Sequence, residues 1–274
     1  MKGKKILYIS SEVIPYMPQT EIATMTYSLP KIVNENGGQT RIFIPKYGII
    51  NERRHQLHEV IRLSGINLII DDMDMPLILK VASIPKERMQ VYFIDSEDYF
   101  KGRQVESDKN DKLYKDNDER SMFFCRGVLE TVKKLGWMPD IVHCHGWMTA
   151  LMPVYLKSVY KNDPHFSNAK IIYTHYKHDE KLKFSKNLPT KLDFDELPTS
   201  ELNLNGLADV NKLHEIGIQW SDAVSHGSPD IDEGLLDLIK KTDKSVLEYH
   251  DEEQTVEAHQ NFYDKVLSEN GVLV

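Results

Sequence analysis

Two histidines stand two residues apart in the apolar run Ile141-Val142-His143-Cys144-His145, and on an extended strand both side chains project to one face. With His175 and His178 further along they form an imidazole set of the kind that binds a transition metal. Such a site needs three or four ligands converging in fixed geometry, and nothing in the spacing makes these four converge, so no metal is expected. His143, inside the run, reads as a hydrogen-bonded core histidine; His145, at its end, either lines a pocket or packs. Glu12 follows another apolar run and is suited either to capping a backbone or to accepting hydrogen bonds from a sugar hydroxyl. Trp147 offers a flat ring that stacks on a sugar or anchors a core. Cys125 and Cys144 both lie on apolar faces and read as core rather than as nucleophiles. Residues 10–23 contain no glycine, so a Gly-rich phosphate loop is missing and a dinucleotide cofactor is not expected.

These residues need a frame. Residues 5–10 and 40–45 are short β-branched or aromatic runs that predict buried parallel strands, and between them Ile22, Met25, Leu29, Ile32 and Val33 recur at helical spacing. That helix ends at Gly37-Gly38, and Pro30 inside it would kink it. Residues 66–70, 77–81 and 90–94 alternate in short runs and predict a hairpin insertion at the sheet edge. The polar stretch 101–117 reads as a solvated loop. Beyond it the chain alternates: helix 119–135, strand 140–145, helix 148–160, strand 169–174, helix 210–220, strand 223–225 and helix 231–240. The fold class is therefore α/β, a doubly wound, mostly parallel Rossmann-like sheet. The polar segment 181–205 and a helical tail at 252–267 stand outside this alternation. In such sheets ligands bind beyond the carboxyl ends of the strands, which selects Glu12 with Pro15-Tyr16, His145 with Trp147, His175 with Tyr176 and His178, and His226 with Ser228.

The chain has 274 residues, 41% of them hydrophobic and 28% charged, with 34 basic against 42 acidic side chains and a formal net charge of −8. That composition excludes a largely disordered chain and opposes a phosphate-tracking, nucleic-acid-binding role. Two cysteines are too few for a secreted disulfide scaffold, and the six apolar or small residues 6–11 are too short a run for a signal peptide or membrane span. A cytoplasmic protein with no membrane or nucleic-acid partner is expected.

The motifs Ser11-Glu12-Val13-Ile14-Pro15-Tyr16, Leu29-Pro30-Lys31 and Pro45-Lys46-Tyr47-Gly48 resemble the opening of bacterial glycogen synthases and plant starch synthases. The resemblance strengthens from Asp116-Asn117-Asp118-Glu119-Arg120 through Lys133-Lys134-Leu135-Gly136-Trp137 to Pro139-Asp140-Ile141-Val142-His143-Cys144-His145, Trp147 and Thr149-Ala150-Leu151. It continues through Thr174-His175, Trp220-Ser221-Asp222-Ala223-Val224 and Ser228-Pro229 to about residue 241. Family membership implies transfer of glucose from ADP-glucose to an α-1,4-glucan, in a cleft between two Rossmann-like halves of a GT-B glycosyltransferase. Only the first of those halves is resembled. Residues 1–241 are expected to form it, and 242–274 a tail whose helix packs back on the domain where the family's final helix crosses over.

Departures lie where the resemblance places chemistry. The family's Lys-Thr-Gly-Gly-Leu-Gly-Asp becomes Pro18-Gln19-Thr20-Glu21-Ile22-Ala23-Thr24, which removes a lysine and the glycines and adds an acid where a phosphate would approach. His-Asp-Trp becomes His145-Gly146-Trp147, deleting a carboxylate, and Tyr176 replaces the asparagine of Thr-Ile-His-Asn. No catalytic residue is assigned; the glucan or ligand-binding candidates are Glu12, Tyr16, His145, Trp147 and His175. The residues favour a silent relative that binds α-1,4-glucan or maltooligosaccharide, or regulates glycogen synthesis. The alternatives are an active glucosyltransferase completed by a partner chain carrying the donor-binding half, with ADP-glucose as donor substrate and no cofactor, and a sugar-binding role unrelated to glycogen.

Overall fold

The computed structural model describes residues 1–87, 89–178, 181–204, 208–251 and 254–269. The first half of the chain forms β1 (Lys5–Ser10), α1 (Glu21–Glu35), β2 (Gln39–Pro45), α2 (Glu52–His55), β3 (His58–Glu59), β4 (Ile66–Ile70), β5 (Met73–Ile84), β6 (Met89–Asp95) and α3 (Asn117–Lys134). The second forms β7 (Ile141–His145), α4 (Met152–Lys157), β8 (Lys170–His175), α5 (Leu188–Phe194), α6 (Val210–Trp220), β9 (Ala223–His226), α7 (Glu233–Lys240), β10 (Ser245–Leu247) and α8 (Thr255–Ser268).

Across the sheet the order is β10-β9-β8-β7-β1-β2-β6-β5-β3, with β4 paired only to β5. From β10 to β6 every neighbouring pair is parallel, and β5, β3 and β4 add antiparallel pairings at one edge. The strand order reverses between β1 and β7, and in a doubly wound sheet the crevice at that reversal receives the ligand. The edge hairpin is β4–β5. The third alternating run, residues 90–94, lies in β6, which forms a hairpin with β5 as expected and also joins the parallel sheet beside β2. Phe93 and Ile94 are buried there, so its alternation is only partial.

Other differences have local causes. The helix expected over 148–160 is a single 3-10 turn at Trp147–Thr149 followed by α4, which restarts with Pro153 in its first turn, where a missing N–H is harmless. Helix α1 runs unbroken through Pro30, which leaves the Thr26 carbonyl without its helical donor. The segment 101–117 is a largely exposed loop, as expected, but it is tethered at its base. Arg120, fully buried on α3, donates to the carbonyls of Tyr99 (2.9 Å), Gln104 (2.7 Å) and Val105 (2.7 Å) and to Asn117 Oδ1 (2.7 Å), which ties the loop against the helix. Within 181–205, α5 brings Lys191 onto Asp118 (2.9 Å) and Glu119 (2.5 Å). Among the described residues no helix is long and apolar enough to cross a membrane.

Side chains alternate across the pleat, so His143 faces one side of the sheet and Cys144 the other. On the first side α8 lies against α1 and buries Phe262, Tyr263 and Val266. Tyr8 donates to Tyr263 Oη (3.1 Å), Tyr263 Oη meets His143 Nδ1 (2.8 Å), and His143 Nε2 meets Thr174 Oγ1 (2.7 Å), which bonds in turn to Ser225. One buried chain of hydroxyl and imidazole groups thus crosses β1, β7, β8 and β9. Replacing Tyr263 by Phe removes the link that His143 and Tyr8 share. Tyr263→Phe is expected to lower the unfolding free energy by about 1–3 kcal/mol, measured by urea denaturation at pH 7. Unchanged stability would mean that packing alone holds α8.

Candidate functional site

At the carboxyl end of β1 the Ser10 hydroxyl donates to the Glu12 carbonyl (3.0 Å) and accepts from Thr26 (2.9 Å), which fixes the turn from which Glu12 projects. Thr20 caps α1 by accepting from Ala23 N (3.0 Å) and donates its own hydroxyl to Glu12 Oε2 (2.7 Å). Glu12 therefore lines a cavity of 320 Å³ whose walls include Thr20, Gln104, Glu106, Trp147 and His178. Trp147, almost wholly buried, packs on Phe184 and presents its edge toward His178. His178 Nε2 meets Glu106 Oε2 at 2.8 Å. Burial pushes the Glu12 carboxyl above its ordinary value; the Thr20 hydrogen bond opposes this, Glu106 adds to it and His178 opposes it. Two carboxylates, an imidazole, a hydroxyl and an amide round an indole suit a neutral, hydroxyl-rich ligand.

Of the five residues named from sequence, Glu12 and Trp147 share this cavity. Tyr16 lies elsewhere, its ring 4.9 Å from Phe93 and 5.0 Å from His55, with burial raising its hydroxyl to about 12. His145 is wholly buried; burial, then repulsion from His259, pulls it down to about 3. His175 is pulled down to about 3 by burial and then by His226, and lines a separate 130 Å³ cavity with Asn211 and Asp232. The His143 and His145 rings lie 4.1 Å apart at a tilt of 37°, but both His143 nitrogens are taken by Tyr263 and Thr174. Among the described residues no group of three or more His, Cys, Asp or Glu is arranged to hold a metal ion. Cys125 and Cys144 are buried thiols whose burial raises their pKa.

Glu106 went unnoticed in sequence because it sits in the polar segment, which Arg120 and Asn117, the latter donating to the Glu106 carbonyl (2.9 Å), hold against α3. The one local signal was an arginine on the apolar face of α3.

Tyr176 occupies the centre of the crevice. Its hydroxyl bonds His145 Nδ1 (2.9 Å), and its ring lies so close to Gly227 that an added Cβ there would stand 2.3 Å from Cε1. On the other side Gly146 has φ +75° and ψ 177°, a conformation nearly exclusive to glycine. A Cβ at Gly146 would stand 3.2 Å from Ile22 Cδ1. The start of α1 is also occupied: Glu21 Oε2 accepts from Ser228 (2.6 Å) where its helix dipole already favours an anion.

Residues 5–241 match the family described as starch synthase catalytic domain. A glycogen synthase of Chlorobium limicola is 42% identical over 171 residues, 62% of this chain and 35% of that protein. One from Chlorobaculum tepidum is 36% identical over 235 residues, 85% of this chain and 47% of the relative. The chain thus spans about half or less of the curated relatives it matches. The catalytic domain of starch synthase IV from Arabidopsis thaliana, bound to ADP and acarbose, superposes with a TM-score of 0.71 over 92% of this chain and 53% of that one. At 20% identity this likeness concerns the fold.

Glu12 ionises less readily in the folded chain than in the unfolded one, so at neutral pH its charge opposes folding, and that penalty fades as pH falls toward the ordinary value of 4.5. Glu12→Gln is therefore expected to raise the Tm at pH 7–8, with the gain shrinking on acidification. The histidines act oppositely. His143, His145, His175, His214, His226 and His259 all have lowered pKa values through burial, so the unfolded chain takes up protons first. Below about pH 6.5 each withdraws up to about 1.4 kcal/mol of stability per pH unit. A steep loss of Tm between pH 6.5 and 5 is expected by scanning calorimetry; a flat profile would contradict the neutral assignment.

Proposed function

Since the chain belongs to the starch synthase catalytic domain family, we propose that it is a glycogen-synthase-like protein that binds α-1,4-glucan in the Glu12–Trp147 cavity and does not bind ADP-glucose productively. The observation that carries this reading is the Tyr176 ring seated between Gly146 and Gly227, with its hydroxyl on His145. Three departures from the family pattern act there as one change. The carboxylate is gone from position 146, the asparagine has become a large ring, and the histidine that would face a sugar instead bonds that ring. Independently, Glu21 holds a negative charge at the start of α1, where the family's lysine and glycines would receive a phosphate. Charge repulsion and the missing donors both act against the diphosphate of ADP-glucose.

The glucan side differs. Glu12, Glu106, Thr20, Gln104 and His178 supply acceptors and donors at the rim of a cavity with an indole in its wall, and glucose hydroxyls satisfy such groups in pairs. Bound this way, the domain would hold glucan ends or regulate a partner synthase without transferring glucose itself.

Calorimetric titration of the chain with maltohexaose and, separately, with ADP-glucose tests the reading. Maltohexaose is expected to bind and ADP-glucose not to. Glu106→Ala is expected to weaken maltohexaose binding by about tenfold, the loss of one hydrogen bond to a charged group. Micromolar ADP-glucose binding, or glucosyl transfer when a donor-binding half is added in trans, would overturn it in favour of an active enzyme completed by a second chain.

A further inference from the structure

A second, larger cavity lies at the other end of the sheet. It measures 680 Å³ and opens where α4 ends and where β8 and β9 begin, on the edge facing away from Glu12 and Tyr176. Its walls carry Lys157, Lys161 and Lys170 together with the half-buried ring of Trp220 and the side chains of Asn168 and Asp222. Asp222 is already committed: Oδ1 accepts from Lys157 (2.6 Å) and Oδ2 from Ile171 N (2.8 Å). Lys161 and Lys170 have no acidic partner among the described residues.

A fourth amine adjoins them. Lys244 Nζ donates to the carbonyls of Ile218 (2.6 Å) and Gln219 (2.5 Å) at the end of α6, the helix that closes with Trp220. Burial, then the charge of Lys157, pulls Lys244 down to about 8, while Asp222 opposes this. The domain therefore concentrates four amines around two carboxylates, Asp222 and the exposed Glu201, although its net charge is −8. Like charges gathered at a groove raise the local concentration of anions. Beside them stand an indole face and an amide, the pair that recognises the apolar face and hydroxyl edge of a pyranose.

We propose that this groove binds a phosphorylated hexose, free or as a unit of a phosphorylated glucan, with Lys161 and Lys170 on the phosphate and Trp220 against the sugar ring. Of the two rings in the wall Phe166 is almost wholly buried and only Trp220 is half-exposed, and one open aromatic face flanked by short polar groups fits a sugar better than a nucleobase, which needs an apolar slot or a second open ring. The site is separate from the Glu12 cavity, so its failure leaves the glucan reading standing, and the converse holds.

The test is calorimetric titration of the full chain with glucose 6-phosphate, a phosphorylated maltooligosaccharide, glucose, inorganic phosphate and ADP, repeated for Lys161→Ala, Lys170→Ala and Trp220→Phe. Glucose 6-phosphate or the phosphorylated maltooligosaccharide is expected to bind more tightly than glucose or phosphate, the tighter of the two identifying the source. Each lysine replacement is expected to weaken that binding by on the order of tenfold, and added salt to weaken it further. Ligand-induced change in indole fluorescence is expected in the parent chain and lost in Trp220→Phe. Maltohexaose binding by the lysine variants should match the parent. Absence of binding by both phosphorylated sugars, equal binding of inorganic phosphate or ADP, or affinity unchanged by either lysine replacement would overturn the proposal.

Discussion

A histidine buried in its neutral form must find a partner for the nitrogen that keeps its proton, and His143 finds partners for both nitrogens in Tyr263 and Thr174. This requirement ties the last described helix to the centre of the sheet. Tyr8, Tyr263, His143, Thr174 and Ser225 form a polar seam inside an otherwise apolar layer, and every member of it depends on strand register: Tyr8 opposite His143, Thr174 opposite Ser225. A slip of one residue in β7 would turn His143 to the other face and bring Cys144 into its place. The seam therefore specifies register in a way that interchangeable aliphatic side chains do not, and the same register delivers His145, Gly146 and Trp147 to the crevice.

The crevice itself is divided. On one side of Tyr176 the Glu12 cavity keeps its hydrogen-bonding groups, one of them a carboxylate whose ionisation is suppressed by burial. On the other, the surroundings of His145 and His175 have become interior. Burial that drives an imidazole to about 3 removes it from proton transfer near neutral pH, so these histidines now serve packing and hydrogen bonding. Glu12 keeps its carboxyl at the cavity at a cost to the fold, whereas the His145 ring is held inside by Tyr176.

Most parallel strands were legible in sequence because each is a short apolar run closed by charge or a turn, whereas the short strand β10 and the place where the strand order reverses were not. Helix α6 was legible to its ends, since Asp209 caps it and Ser221 leaves it. What could not be read depended on partners far along the chain. Glu106 reaches the cavity because Arg120 gathers carbonyls 15 to 21 residues away and Asn117 bonds the Glu106 carbonyl, and nothing adjacent to Glu106 encodes that. The alternation in β6 revealed its hairpin with β5, but its second pairing, parallel to β2, left no mark in the run itself. Tyr176 could be recognised as a replacement, but its effect needed the glycines at 146 and 227, which lie 30 and 51 residues from it.

Gly146 also gives the molecule a direction in time. Its backbone conformation admits glycine and little else, so a mutation restoring the aspartate would meet strain before it could restore any chemistry. Removing the Tyr176 ring alone would leave a hole beside an intact glycine turn, and rebuilding the turn alone would drive a side chain toward Ile22. Neither single step improves on the present state, and an ancestor that crossed this point could return only by several changes made together. The crevice behaves as a ratchet, held by a ring and two glycines that no one substitution releases together.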